Sequence, residues 1–298
     1  MRWAGPADPA LLAGQPSRGR RRRWVYVAAG DERVTVGAAV VDVGVFGLGT
    51  AFAFATGPWG IVRWDAGPGR AGQVGGLLAS AATRRAGGSI DLTPEGLVVD
   101  VPVDGGRLQA TVEIDGAAPV SLLTPTSAGG WNATTKRAGE PAHGTITTPH
   151  GTDVFDGGAW TDATDGRQDR HTVWRWAAGA GRSIDGTARV GLQASTGMNA
   201  RGPGEDLVWW DGVPHPLSVT ALAPVRPEAF DGAWTIRGEN WSMELSPTGV
   251  RAADEGLGPI RSRYHQPVGT WRGTLPGPSG APVPVWLAGV AEDHEARW

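Results

Sequence analysis

The sequence contains no cysteine. That absence excludes disulfide staples, thiolate zinc sites and a cysteine nucleophile. It also lacks a Gly-x-Ser-x-Gly elbow, a phosphate loop and a His-Glu-x-x-His pair, so the familiar hydrolase and kinase readings find no support. Excess positive charge is missing too: 27 Lys and Arg face 30 Asp and Glu, a formal net charge of -3, and no nucleic-acid partner is expected. Only the stretch 34–55 approaches membrane length without many charges. Asp42, several glycines and an alternating Ala-Phe-Ala-Phe run make it two buried strands instead, so no stable membrane insertion is expected. The opening residues lack a basic segment followed by an apolar core, which gives a cytoplasmic location as the expectation.

What is abundant is glycine (47), proline (23) and tryptophan (15), without long apolar helical windows. This mixture favours short strands joined by tight turns, and the expected fold class is all-β. A Pro/Gly-rich lead covers residues 1–19. The core begins at the Arg20–Arg23 run, read as a solvated rim, and Trp24-Val25-Tyr26-Val27. Turns of the Asp-Gly type recur through 90–123 and mark a meander. Residues 72–85 offer the one short helix. A boundary near residue 143 divides an N-terminal β-domain, 20–143, from a C-terminal one, 144–298, and both halves share the same strand spacing.

The most informative stretch is Arg170-His171-Thr172-Val173-Trp174-Arg175-Trp176-Ala177. On an extended chain Arg170, Thr172, Trp174 and Trp176 share one face and His171, Val173 and Arg175 the other. Two indoles beside a guanidinium and a hydroxyl suit a pocket wall that holds an apolar body and orients a polar end. Just upstream, Asp162, Asp165 and Asp169 crowd the same segment, which reads as a hairpin loop. A carboxylic acid beside indoles loses hydration, its pKa rises, and it becomes a proton donor near neutral pH. Asn199, Glu205 and Trp209 follow, and pairing of that strand with the earlier one would add an amide, a carboxylate and an indole to the same cavity. Glu292 and His294 share a strand face near the C-terminus and could serve as a base pair, although ion pairs with the many arginines are the expectation; a metal site there is disfavoured because no second histidine is near.

These residues resemble the family labelled domain of unknown function 2804. The resemblance is carried by Arg22-Arg23-Trp24-x-Tyr26, Trp131-Asn132 with Lys136, His143-Gly144, the Arg170–Ala177 stretch, Asn199, Glu205, Trp210-Asp211-Gly212 and Gly289-Val290-x-Glu292-Asp293-His294-x-Ala296-Arg297-Trp298. A more distant similarity leads to the AttH and hydroxyneurosporene synthase group, which implies two lipocalin-like antiparallel β-barrels or sandwiches packed together and includes enzymes that hydrate carotenoid double bonds. Trp160, Asp162, Gly166, Trp174 and Trp176 fit that group's pattern. Its histidine falls on Ala163, its next tryptophan on Asp165, and its downstream acid finds no carboxylate around 190–192.

The expected function is a hydratase, isomerase or cyclase that works by acid catalysis, without metal or organic cofactor, on an isoprenoid or other hydrophobic or amphipathic small molecule. In that reading Asp165 or Asp169 donates the proton and Glu205 orients or activates water. Trp174, Trp176 and Trp209 enclose the substrate and stabilise positive charge, and Arg170, Thr172, Arg175 and Asn199 complete the ligand site. A non-enzymatic lipocalin-like carrier that clamps an anionic head with Arg170 or Arg175 is the alternative, and carbohydrate stacking on open indoles a third.

Overall fold

The structure, a computed structural model, describes residues 2–4, 20–45, 47–75, 80–116, 118–126, 129–197, 204–257 and 260–297. Every regular element among these residues is a strand. They form two curled antiparallel sheets, each a half-barrel, so the all-β, paired lipocalin-like architecture expected from the sequence is what the chain adopts.

Both sheets follow one plan. The first opens on Arg22–Gly30, meanders outward through Thr35–Val45, Leu48–Gly57 and Gly60–Asp65, then resumes at the opposite edge with Gln73–Val74. From there it returns through Ala81–Arg85, Gly88–Thr93, Gly96–Val103, Gly106–Ile114 and Trp131–Thr148 to Gly151–Arg167, which pairs with Arg22–Gly30. The second sheet repeats the scheme. His171–Ser183 leads out through Arg189–Thr196, Leu207–Trp210 and Val213–Pro216, and the chain returns from Ala221–Pro224 through Trp234–Arg237, Ser242–Leu257 and Ile260–Pro276 to Pro282–Arg297, paired with His171–Ser183. The shared strand spacing of the two halves is therefore a duplication of topology. Tight Gly-containing turns make the short hairpins: Asp211 and Gly212 take φ of 48° and 82° between Trp210 and Val213, a pair of positive φ angles that a type I′ turn requires.

The chain passes from one sheet to the other at 168–170, so residue 143 lies inside a first-sheet strand and the hairpin 131–167 stays with the first sheet. Among the described residues of 72–85 there is no helix; they contribute the strands Gln73–Val74 and Ala81–Arg85. The expected hairpin loop at 157–166 is part of the strand Gly151–Arg167. The arginine run is a solvated rim at Arg20 and Arg21, which are exposed, but not beyond them. Arg22 is buried and donates to the Gln168 carbonyl at 2.8 Å, and Arg23 pairs with Asp42 at 2.7 Å. None of the described residues belongs to a helix long and apolar enough to cross a membrane.

Each half-barrel has its own apolar core, and a third cluster joins them, with Tyr26, Phe54, Leu122 and Trp160 from the first sheet against Trp176, Trp209, Val268 and Val290 from the second. Backbone contact anchors this junction. A β-bulge between Ala138 and Glu140 puts Gly139 at φ 78°, and its backbone presses on Gly191 of the second sheet. Beside it the buried Gln193 donates to the carbonyls of Arg137 (3.0 Å) and Thr161 (2.8 Å) and accepts from Trp176 Nε1 (3.0 Å), tying one sheet to the other while orienting an indole. A side chain at Gly191 would collide with backbone atoms of Ala138 and Gly139, which cannot swing away. Gly191→Ala is expected to lower the urea unfolding free energy by about 2–3 kcal/mol; a midpoint equal to wild type would show that the sheets do not depend on this contact.

Candidate functional site

Between the two sheets lies a cavity of about 160 Å³. The strands that line it reach it by simple alternation: Trp24 and Tyr26; Ala39, Val41 and Val43; Thr50 and Phe52; Asn132, Thr134 and Lys136; Asp162 and Thr164; Trp174 and Trp176; Ser262 and Tyr264; Glu292 and His294. Its apolar wall is largely aromatic. Trp174 stacks on Trp24, with centroids 6.4 Å apart and planes at 6°, and on His294 at 4.0 Å; Tyr26 meets Trp176 edge-on at 5.1 Å. Both tyrosines of the chain, Tyr26 and Tyr264, line it.

Three charged groups stand in one part of this wall. The ammonium of Lys136, the chain's single lysine, is 3.1 Å from Asp162 Oδ1 and 3.2 Å from Glu205 Oε2, and Thr134 Oγ1 donates to Glu205 Oε1 at 3.1 Å. Lys136 and Glu205 are almost wholly buried. Burial alone would lower the lysine pKa, but the two carboxylates outweigh it and hold the proton on Nζ. One cation cannot neutralise two carboxylates. Burial, with the repulsion of Glu205 added, raises the Asp162 pKa even though Lys136 opposes the shift. Asp162 is therefore a carboxyl group that keeps its proton to higher pH than usual, beside indoles, on a cavity wall. Two further polar atoms there, Tyr26 Oη and Thr164 Oγ1, are buried without a hydrogen bond of ordinary geometry.

Asp206, next in the chain, accepts from the Ser195 amide at 3.0 Å, and burial lifts its pKa to about 6. The folded-state value exceeds the unfolded one near 3.9, so this group opposes folding increasingly as pH rises from about 4 through 6. Asp206→Asn keeps an acceptor and removes the charge. It should raise stability by about 2 kcal/mol at pH 7.5 and change nothing at pH 3.5, as urea titrations at the two pH values would show.

A second polar group faces the same cavity from the second sheet. Glu292 accepts from Trp174 Nε1 (3.1 Å), Gln266 Nε2 (2.6 Å) and the His294 ring at Nδ1 (3.1 Å), and His294 Nε2 lies 2.8 Å from Ser262 Oγ. Nearby, Arg251 donates to Asp65 through Nε (3.0 Å) and Nη2 (2.8 Å), with its guanidinium carbon 3.3 Å from the centre of the Phe52 ring and 4.2 Å from that of Tyr264.

Of the residues singled out from sequence, Glu205, Trp174 and Trp176 meet at the cavity, together with Asp162, Glu292 and His294. Asp165 is on the opposite face of its strand, buried and paired with Arg21 Nε and Nη2 at 2.6 and 2.5 Å. Asp169 lies at the crossing between sheets, where it acts on Arg22. Arg170 is exposed; Thr172 is buried in the ladder opposite Ala296. Arg175 points to the other face, donating to Asp293 Oδ1 at 2.9 Å and to the Leu222 carbonyl at 3.2 Å. Trp209 is fully buried in the junction and donates to the Ala118 carbonyl at 3.3 Å. Asn199 lies outside the described residues. Lys136, Tyr26, Arg251 and Ser262 escaped notice as site residues. The signal for Lys136 was compositional, since every other basic residue of its kind is arginine.

Two packed half-barrels around an aromatic, acid-lined cavity define a lipocalin-like protein of the two-sheet class. Solved structures of the same fold include the AttH protein of Nitrosomonas europaea, at 12% identity over 98% of this chain and 97% of that one with a TM-score of 0.59. Kievitone hydratase from Nectria haematococca is another, at 11% identity over 95% and 90% of the two chains with a TM-score of 0.55. Residues 8–298 match the model of the domain of unknown function DUF2804, and the chain belongs to that family. No curated protein matches it significantly.

Proposed function

We propose that the protein is a cofactor-independent acid catalyst, a hydratase, isomerase or cyclase, acting on an isoprenoid or lipid-like small molecule bound between the sheets. The observation that carries this reading is Asp162, a carboxyl of raised pKa set among indoles and sharing Lys136 with Glu205. Asp162 protonates a carbon–carbon double bond, leaving a carbocation on the substrate. Trp24, Trp174, Trp176, Tyr26 and Phe52 present π-faces and edges to the cavity, and cation–π attraction lowers the energy of that cation. In hydration, water adds to the cation and gives its proton to Glu205; in isomerisation or cyclisation the substrate itself loses a proton or closes a ring. Lys136 stays charged throughout and keeps the two carboxyl groups in place. That one solved protein of this fold is a hydratase agrees with the reaction class.

Arg251 favours a second reading, a carrier for an apolar molecule with an anionic head, because its guanidinium enters the same aromatic wall. Native mass spectrometry of the protein incubated with a total lipid extract tests what the two readings share. An apolar molecule retained by wild type and lost from Trp176→Asp is the expected result. Retention of sugars alone, or identical retention by the variant, would sink both.

A further inference from the structure

Proton transfer from Asp162 leaves Ser262, His294 and Glu292 unused, although all three line the cavity. An ionised carboxylate only accepts hydrogen bonds, and Glu292 is held in that form: burial would raise its pKa, but the hydrogen bond and charge of His294, the charge of Arg251 and the hydrogen bond from Trp174 bring it below the ordinary value. With its ring hydrogen on Nδ1, facing Glu292, a neutral His294 presents Nε2 as an acceptor. The partner of Nε2, 2.8 Å away, is the Ser262 hydroxyl, which in that tautomer donates to it. Strand register builds this contact. Tyr264 stands opposite His294 and Ser262 opposite Ala296, so Ser262 and His294 are diagonal neighbours on one sheet face. Stacking on Trp174 with planes at 28° fixes the ring, and Trp174 and Gln266 fix the carboxylate. A hydroxyl bound to a base that is oriented by a carboxylate is the arrangement that activates serine.

We propose that Ser262 is a nucleophile toward esters of apolar acids or alcohols held in the cavity, a second activity that shares the cavity with the proton donor but not its chemistry. His294 Nε2 takes the hydroxyl proton as Ser262 Oγ bonds to the ester carbonyl carbon. The carbon–oxygen bond to the alcohol then breaks, and the alcohol leaves with that proton. Water attacks the acyl-serine with His294 again as base, the Oγ–carbon bond breaks, and the released acid and the restored Ser262 hydroxyl balance the cycle. No Gly-x-Ser-x-Gly elbow announces this serine because it lies within the long strand Ile260–Pro276.

An alkyl fluorophosphonate tests the proposal on the full chain. Ser262 Oγ bonds to phosphorus, fluoride leaves, and the proton passes through His294 to solvent. Peptide mass spectrometry should find the adduct on Ser262, absent from Ser262→Ala and forming roughly a hundredfold more slowly in His294→Gln. Folded wild-type protein left unlabelled at Ser262, or a His294→Gln variant labelled there at the wild-type rate, overturns it. The wild type alone decides whether labelling occurs, so a variant that fails to fold does not spare the proposal. Labelling involves no carbocation, so its failure leaves the Asp162 reading standing, and failure of that reading leaves the label unchanged.

Discussion

Asp162→Asn should lower kcat by roughly a hundredfold to ten-thousandfold, with little change in KM or thermal midpoint, when polyprenols or unsaturated fatty acids retained by the cavity serve as substrates. The amide keeps the shape of the side chain and an acceptor for Lys136, but has no acidic proton to give. The loss should therefore appear in turnover and not in binding. The wild-type pH profile should agree with it: Asp162 acts in its protonated form and its pKa is raised, so kcat falls on the alkaline side, and this limb disappears in the variant. A variant within threefold of wild type would remove Asp162 from the mechanism.

Lys136→Met should produce the largest loss of stability, about 3–5 kcal/mol near pH 8. The methionine fills much of the space, so the deficit comes from charge: Asp162 and Glu205 would remain buried side by side without their shared cation. Asp162, whose pKa burial already raises, then has no cation to oppose the shift, so its stabilising form is the protonated one, present at low pH and lost as pH rises. The variant should accordingly recover much of its stability at pH 4.5. Chemical denaturation at the two pH values measures the difference. A deficit equal at both would assign the effect to packing.

Much of the architecture was legible because alternation and turn chemistry are local. Trp174 and Trp176 share a face on any extended strand, and Asp211-Gly212 makes a tight hairpin turn wherever it falls. What failed was the distinction between loop and strand at 157–166. Read as a loop, the segment gave no face, and Asp165 and Asp169 were preferred to Asp162 as the proton donor. Once the segment is part of Gly151–Arg167, period two turns Asp162 and Thr164 inward and Asp165 outward to Arg21. Lys136, Arg251 and Ser262 were out of reach for a different reason. Their partners are supplied by pairing across strands and sheets: Arg251 meets Asp65 across the sheet junction, Lys136 meets Glu205 in the same way, and Ser262 meets His294 on a neighbouring strand. The sheet crossing at 168–170 was hidden likewise, since what places the hairpin 131–167 in the first sheet is its pairing with Arg22–Gly30, far away in the sequence.

Deuterium tracing separates catalyst from carrier most directly. When a polyprenol retained by the cavity is incubated with wild-type protein in D2O, the released molecule should carry one deuterium on a former alkene carbon, and Asp162→Asn should release it unlabelled. A molecule that the wild type binds and releases chemically unchanged, with no deuterium on carbon, would contradict proton transfer in this cavity.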